Sequence, residues 1–145
     1  MSFGMEVLDN KINFLICMIQ EIHNQMNLSL DFDTFVINND LTSTQVVLIV
    51  KSLTILNYRK MGVLDEYLDE FENDVRFSII LNNNVPSFNE FKEFLKRINV
   101  YVNEEILLKS LKKQKIGENI CKFLLEDKLN NWYNIIHLVF LFKMS

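Results

Sequence analysis

Alanine is missing from these 145 residues; proline occurs once, glycine three times, and cysteine and histidine twice each. Two cysteines, Cys17 and Cys121, cannot make a disulfide framework or a cysteine-based metal site, and they point to reduced thiols. Neither His23 nor His137 has a second ligand at metal spacing, and no HExxH, CxxC, DxDxDG or GxGxxG array accompanies them. Surplus positive charge is lacking too. Fifteen Lys and Arg face 19 Asp and Glu, a net charge of -4, which argues against general nucleic-acid affinity because counterion release needs a basic face. No apolar run reaches the roughly 20 residues that span a bilayer. Met1 to Met5 carry no positive n-region, and Glu6, Asp9, Lys11 and Asn13 interrupt any signal-peptide core, so a cytoplasmic protein is expected.

What is present is the balance of a folded chain: 49% hydrophobic and 23% charged residues, enough for one core in a single domain over 1–145. The absence of Ala beside abundant Ile, Asn, Lys and Phe suits an AT-rich genome, such as that of a low-GC bacterium, its phage or a large DNA virus.

The clearest pattern comes first. Met5, Leu8, Ile12, Leu15, Ile19, Ile22 and Met26 recur at alternating steps of four and three, a heptad stripe that predicts a coiled-coil-like helix over 5–27. Phe14, Cys17 and Met18 widen the stripe, so this helix is expected to meet a core on one flank and a second helix, from another copy, on the other. Asp31 or Asp33 is expected to cap a short helix carrying Phe32, Phe35, Val36 and Ile37. Thr42 with Gln45 reads as a capping box for a helix along Val46, Ile49, Val50, Leu53 and Leu56. The β-branched run inside it would also suit a strand, but the cap and the length favour helix.

Gly62 permits a break before a further helical face, Val63 to Phe71, whose acids Asp65, Glu66, Asp69 and Glu70 read as the wet side. Val75 to Leu81 is expected to be helical or irregular, since a strand would lack a partner. Pro86, Ser87 and Glu90 form a second capping box, opening a helix through Phe88, Phe91, Phe94 and Leu95. Asn103 caps another, with Ile106, Leu107, Leu108 and Leu111 on its core side. Gly117 precedes a helix in which Ile120, Cys121, Phe123 and Leu124 point inward. The tail, 129–145, is apolar almost all round from Trp132 to Phe142. Such a segment must dock on the domain, cover an oligomer contact or lie in a membrane interface, and docking is the first expectation.

With that helix order the chain resembles the YhaI-like family of small Bacillus proteins over roughly residues 5 to 127. The resemblance lies in the heptad helix around Leu8, Ile12, Leu15 and Ile19, in the Asp33 to Phe35 helix before Leu41-Thr42, and in three later stretches: Ser87 to Phe91, Val102 to Glu105, and Ile116 to Glu126. The chain departs from the family in extra residues around Glu66 to Asn84 and in the tail after Lys128. The resemblance implies an all-α fold and self-association through the first helix, and no established activity.

Chemistry is weighed on few candidates. Cys17 and Cys121 sit among apolar neighbours, so both are expected to be buried and inert. The pairs Asp69-Glu70 and Glu104-Glu105 cannot face one another on a helix and read as solvent-facing. Lys109, Lys112, Lys113 and Lys115, near Lys92, Lys96 and Arg97, are the one feature pointing to nucleic acid. Against it, Val46 to Val50 would occupy the base-reading positions of a helix-turn-helix.

The reading is therefore an all-α bundle of six or seven helices, with no catalytic residue, cofactor or metal. It acts as a non-enzymatic interaction protein, a dimer or trimer through the first helix, and binds a partner protein, in the manner of a phage or mobile-element accessory protein that blocks a host factor. The alternatives are a DNA-binding regulator using the lysine cluster and a viral survival factor of the Bcl-2 type with a groove for a helix. The latter is prompted by the acidic, Phe-rich helices but lacks that fold's Asn-Trp-Gly-Arg signature.

Overall fold

The computed structural model describes residues 3–26 and 29–144. Among these residues the chain is all-α: seven α-helices, two 3-10 turns and no strand. In chain order the helices are α1 (Phe3–Met26), α2 (Asp31–Asn38), α3 (Ser43–Met61), α4 (Leu64–Tyr67), α5 (Phe88–Arg97), α6 (Glu104–Lys113) and α7 (Glu118–Met144). The 3-10 turns are Leu68–Glu70 and Val75–Phe77. Asn27 and Ser145 lie outside the described residues, as do the side chains of His23 and Met26.

The core is built on α3. Thr42 Oγ1 accepts from the Gln45 backbone N–H at 3.1 Å and the Gln45 side chain accepts from the Thr42 N–H at 2.9 Å, completing the capping box. Gln45 also donates to the carbonyls of Ile98 and Asn99, so the start of α3 is tied to the end of α5. The β-branched run stays helical because tertiary burial overrides propensity. Leu48, Ile49, Leu53, Ile55 and Leu56 are all buried, with α5 and α7 packed against α3. Gly62 closes the helix at φ 74°, a conformation that L side chains rarely adopt.

The second capping box is also present: Ser87 Oγ accepts from the Glu90 N–H, and the Glu90 carboxylate accepts from the Ser87 N–H. A neighbour adds a third acceptor, Asp127 of α7, which takes the Phe88 N–H at 2.9 Å. Asn103 caps α6 as expected. The cap of α2 differs from expectation. Asp31 and Asp33 lie inside its first turn, and the Phe32 and Asp33 N–H groups donate instead to Gln114 Oε1, at 2.8 and 3.2 Å. The cap therefore comes from the far end of α6.

Between α3 and α5 the helical reading of Val63 to Phe71 is too regular. The α-helix ends at Tyr67, and the chain continues through 3-10 and other turns to Leu81. Aromatic packing dictates that path. Tyr58 stacks on Tyr67 (centroids 4.1 Å), Phe71 meets Phe77 edge-on (5.9 Å), and Phe77 stacks on Phe94 of α5 (5.7 Å). Phe77 and Ile80, three residues apart, are buried while Val75 and Ile79 face outward, as a three-residue turn requires. Arg59, wholly buried on α3, holds this segment from inside: it donates to the carbonyls of Ile80 and Asn84 and to both oxygens of Glu90. Ile106, expected in the core, is exposed, leaving Leu107, Leu108 and Leu111 as the buried face of α6.

The two terminal helices behave differently. α7 is one uninterrupted helix of 27 residues, with no break between its body-facing part and the apolar tail. α6 has 10 residues, so α7 is about 40 Å long against about 15 Å for its main packing partner. Ile120, Cys121 and Leu124 use the available core; from Leu129 onward the helix has run past the body and its side chains are exposed. The expected docking of the tail on the domain is thus overturned. So is the expected core contact of the first helix. Phe14, Cys17 and Met18 are all exposed, because α5 and α7 already cover α3.

Candidate functional site

Among the described residues, the exposed large apolar side chains concentrate on two helices, α1 and distal α7. On α1, Met5, Leu8, Ile12, Leu15, Ile19 and Ile22 form one stripe, with relative exposure from 45% at Ile12 to 57% at Leu8. Single exposed leucines are ordinary on a protein surface; a continuous apolar stripe along about five turns is not. The polar side carries Glu6, Asp9, Lys11 and Glu21, which keeps the helix soluble without covering the stripe.

Distal α7 presents Leu129, Trp132, Ile136 and Val139 at steps of three and four, all exposed, flanked by Tyr133, Ile135, Leu138 and Phe140. At its root lies a cleft of about 630 Å³ between α6 and α7, with Leu125, Leu129 and Trp132 among its apolar lining. Four lysines rim it: Lys109, Lys112, Lys122 and Lys128. Glu105 sits among them, accepting from Lys128 at 2.8 Å and pairing with Lys109 at 3.0 Å. These two ammonium groups, Lys128 first, hold its carboxyl below the usual glutamate range. Lys128 also lies over the Phe88 ring, 5.1 Å from its centroid.

Lys109, Lys112, Lys113 and Lys115 do converge, lining a shallow depression with Glu118. Acids already engage two of them: Lys109 pairs with Glu105, and Lys113 pairs with Asp31 at 3.1 Å. The helix considered as a DNA reader, α3, is the central core helix, with Leu48 and Ile49 buried.

The cysteines separate. Cys121 is buried, and desolvation pushes its thiol up to about 12. Cys17 is exposed, contrary to the expectation of two buried thiols. His137 is exposed on the tail, and Asp69 and Glu70 face solvent. Among the described residues, no group of three His, Cys, Asp or Glu is arranged to hold a metal ion, and no helix is long and apolar enough to cross a membrane.

Sequence reasoning missed Arg59 and the register of Trp132. Arg59 falls on the apolar stripe Ser52, Ile55, Leu56, and a charged side chain there signals a buried ion pair. Trp132 continues Leu125 and Leu129 at helical spacing, a register hidden by treating the tail as apolar all round. No family model matches this chain, and no curated protein or solved structure matches it either.

Proposed function

We propose that the protein is a non-enzymatic, cytoplasmic interaction module that self-associates, as a dimer or trimer, through the α1 stripe and acts by occupying a partner protein. The single observation supporting this is the solvent exposure of that stripe. Its residues are already half covered by their own helix, so pairing recovers about half of the roughly 1.5–3 kcal/mol available per large apolar side chain. Six residues from each of two helices then yield on the order of 10 kcal/mol, comparable with the roughly 4–15 kcal/mol that association costs. An α1 pair alone is marginal, and further buried surface is needed for tight assembly. Membership of the YhaI-like family, and a role as a phage or mobile-element accessory protein that blocks a host factor, belong to the same proposal. They rest on helix order and composition.

The test is Ile12→Asp combined with Ile19→Asp. Both sites are exposed, so the body should keep its thermal transition while light scattering reports a fall from oligomer to monomer. An unchanged oligomer mass in the double variant would remove the α1 stripe from the assembly.

A second reading, duplex DNA binding, is favoured by the convergence of four lysines on one surface. It expects binding that falls steeply with salt and is abolished by Lys112→Glu with Lys113→Glu; absent or salt-insensitive binding ends it.

A further inference from the structure

Distal α7 has a polar edge, and that edge fixes which way its apolar side looks. Asn130, Asn134 and His137 recur at steps of four and three along one side of the helix, all exposed. On the opposite side Leu129, Trp132, Ile136 and Val139, also exposed, continue a line that begins at Lys122 and Leu125 and ends at Lys143, at unbroken steps of three and four. A lysine thus stands at each end of the line, the two about 31 Å apart along the axis. The root of the line is the cleft between α6 and α7, where four lysines meet Glu105 and Glu126, a net of +2. Among the described residues, Lys112, Lys122 and Lys143 have no acid within ion-pair distance.

This charge pattern disfavours a second α7 as cover. Laid antiparallel, Lys143 of one helix meets Lys122 of the other; laid parallel, each lysine meets its own counterpart. An acidic helix in the cleft would cover one side and leave Leu138 and Leu141, exposed toward the polar edge, in water. Lipid closes round a helix instead: an interfacial helix sinks by about 5–10 Å, close to its own diameter of about 10 Å. Trp132 and Tyr133 stand where Asn130 and Asn131 give way to apolar turns, the place that amphipathic rings take at headgroup level. From Trp132 to Lys143 the helix runs about 17 Å, little more than half of the roughly 30 Å of hydrocarbon in a bilayer, so it can lie in a membrane but not cross one. We propose that distal α7 lies in the surface of an anionic lipid bilayer. The Leu129 to Val139 stripe enters the acyl chains, the lysines of the cleft meet the headgroups, and Lys143 holds the far end at the same depth. This contact goes beyond self-association through α1 and does not depend on it.

Trp132 is the sole tryptophan, so its emission reports on this helix alone. The full chain is titrated with vesicles of phosphatidylcholine and phosphatidylserine in roughly equal parts. Emission should shift to the blue and be quenched by lipids brominated on their acyl chains, while vesicles of phosphatidylcholine alone should bind at least tenfold more weakly. A lysine at an anionic surface is worth roughly fivefold in affinity, so Lys112→Glu with Lys122→Glu should cut binding to the anionic vesicles at least tenfold. Ile136→Asp with Val139→Asp, at two exposed positions, should abolish the blue shift and leave the thermal transition of the body unchanged. Emission that ignores the anionic vesicles, or equal binding to the neutral ones, would overturn the proposal. A blue shift with polyglutamate but not with vesicles would also overturn it, replacing the bilayer by an acidic protein segment.

Discussion

At the scale of single residues, Arg59 is where the fold is most exposed to a single change. Its guanidinium is sealed in the core and satisfies two carbonyls, Ile80 and Asn84, besides the Glu90 carboxylate. Arg59→Met keeps much of the volume but leaves those acceptors and the carboxylate without their donor. Because Glu90 retains 27% side-chain exposure, the expected loss is about 3 kcal/mol, at the lower end for breaking a buried pair. Urea denaturation measures it, and a loss below about 1 kcal/mol would show that water replaces the guanidinium without penalty. The two thiols make a second contrast at this scale. With its thiol pushed up to about 12, Cys121 has almost no thiolate at pH 8, and burial also blocks access. Maleimide labelling at pH 8 should therefore modify Cys17 fast and Cys121 only on unfolding. Equal rates in the native protein would contradict the burial of Cys121.

At the scale of elements, the helices whose caps are local were legible and the one capped from afar was not. Thr42 with Gln45, Ser87 with Glu90, and Asn103 declare their helices within three residues, and each makes the hydrogen bond its spacing implies. α2 takes its cap from Gln114, more than 80 residues away, so its nearby aspartates misled. Gln114→Ala should cost about 1 kcal/mol, the usual worth of an N-terminal cap. It should also speed amide hydrogen exchange at Phe32 and Asp33 ahead of the rest of α2. Unchanged protection at those two amides would mean that Gln114 is not the acceptor. The segment 63–85 was legible only in outline. Its apolar residues announce burial, but aromatic contacts between α3, the turns and α5 choose the path, and such contacts leave no periodic trace in sequence.

At the scale of the whole molecule, the all-α class could be read from helix caps and the 3.6-residue period, whereas the disposition of the two ends could not. Periodicity reports that Leu8, Ile12 and Leu15 share a face, and that Leu129, Trp132 and Ile136 share another; it does not report whether the chain's own core has room for either. The room is used up by α5, α6 and the first turns of α7, and both stripes remain uncovered. An apolar tail normally docks on its own domain, and the sheer length of α7 beyond its partners defeats that rule here. The candidate surface was thus half legible: the α1 stripe was found by its heptads, while the Trp132 cleft needed α6 and α7 brought together before its lysine rim and apolar floor became one feature.

The central claim is that the stripe on α1 is covered by another copy of the chain. Sedimentation equilibrium of the unaltered protein, across concentrations from below to above micromolar, tests it most directly. The account predicts a mass at least twice the 17.2 kDa of one chain over the upper part of that range. A mass of one chain at every concentration, with circular dichroism still reporting both terminal helices formed, would contradict it.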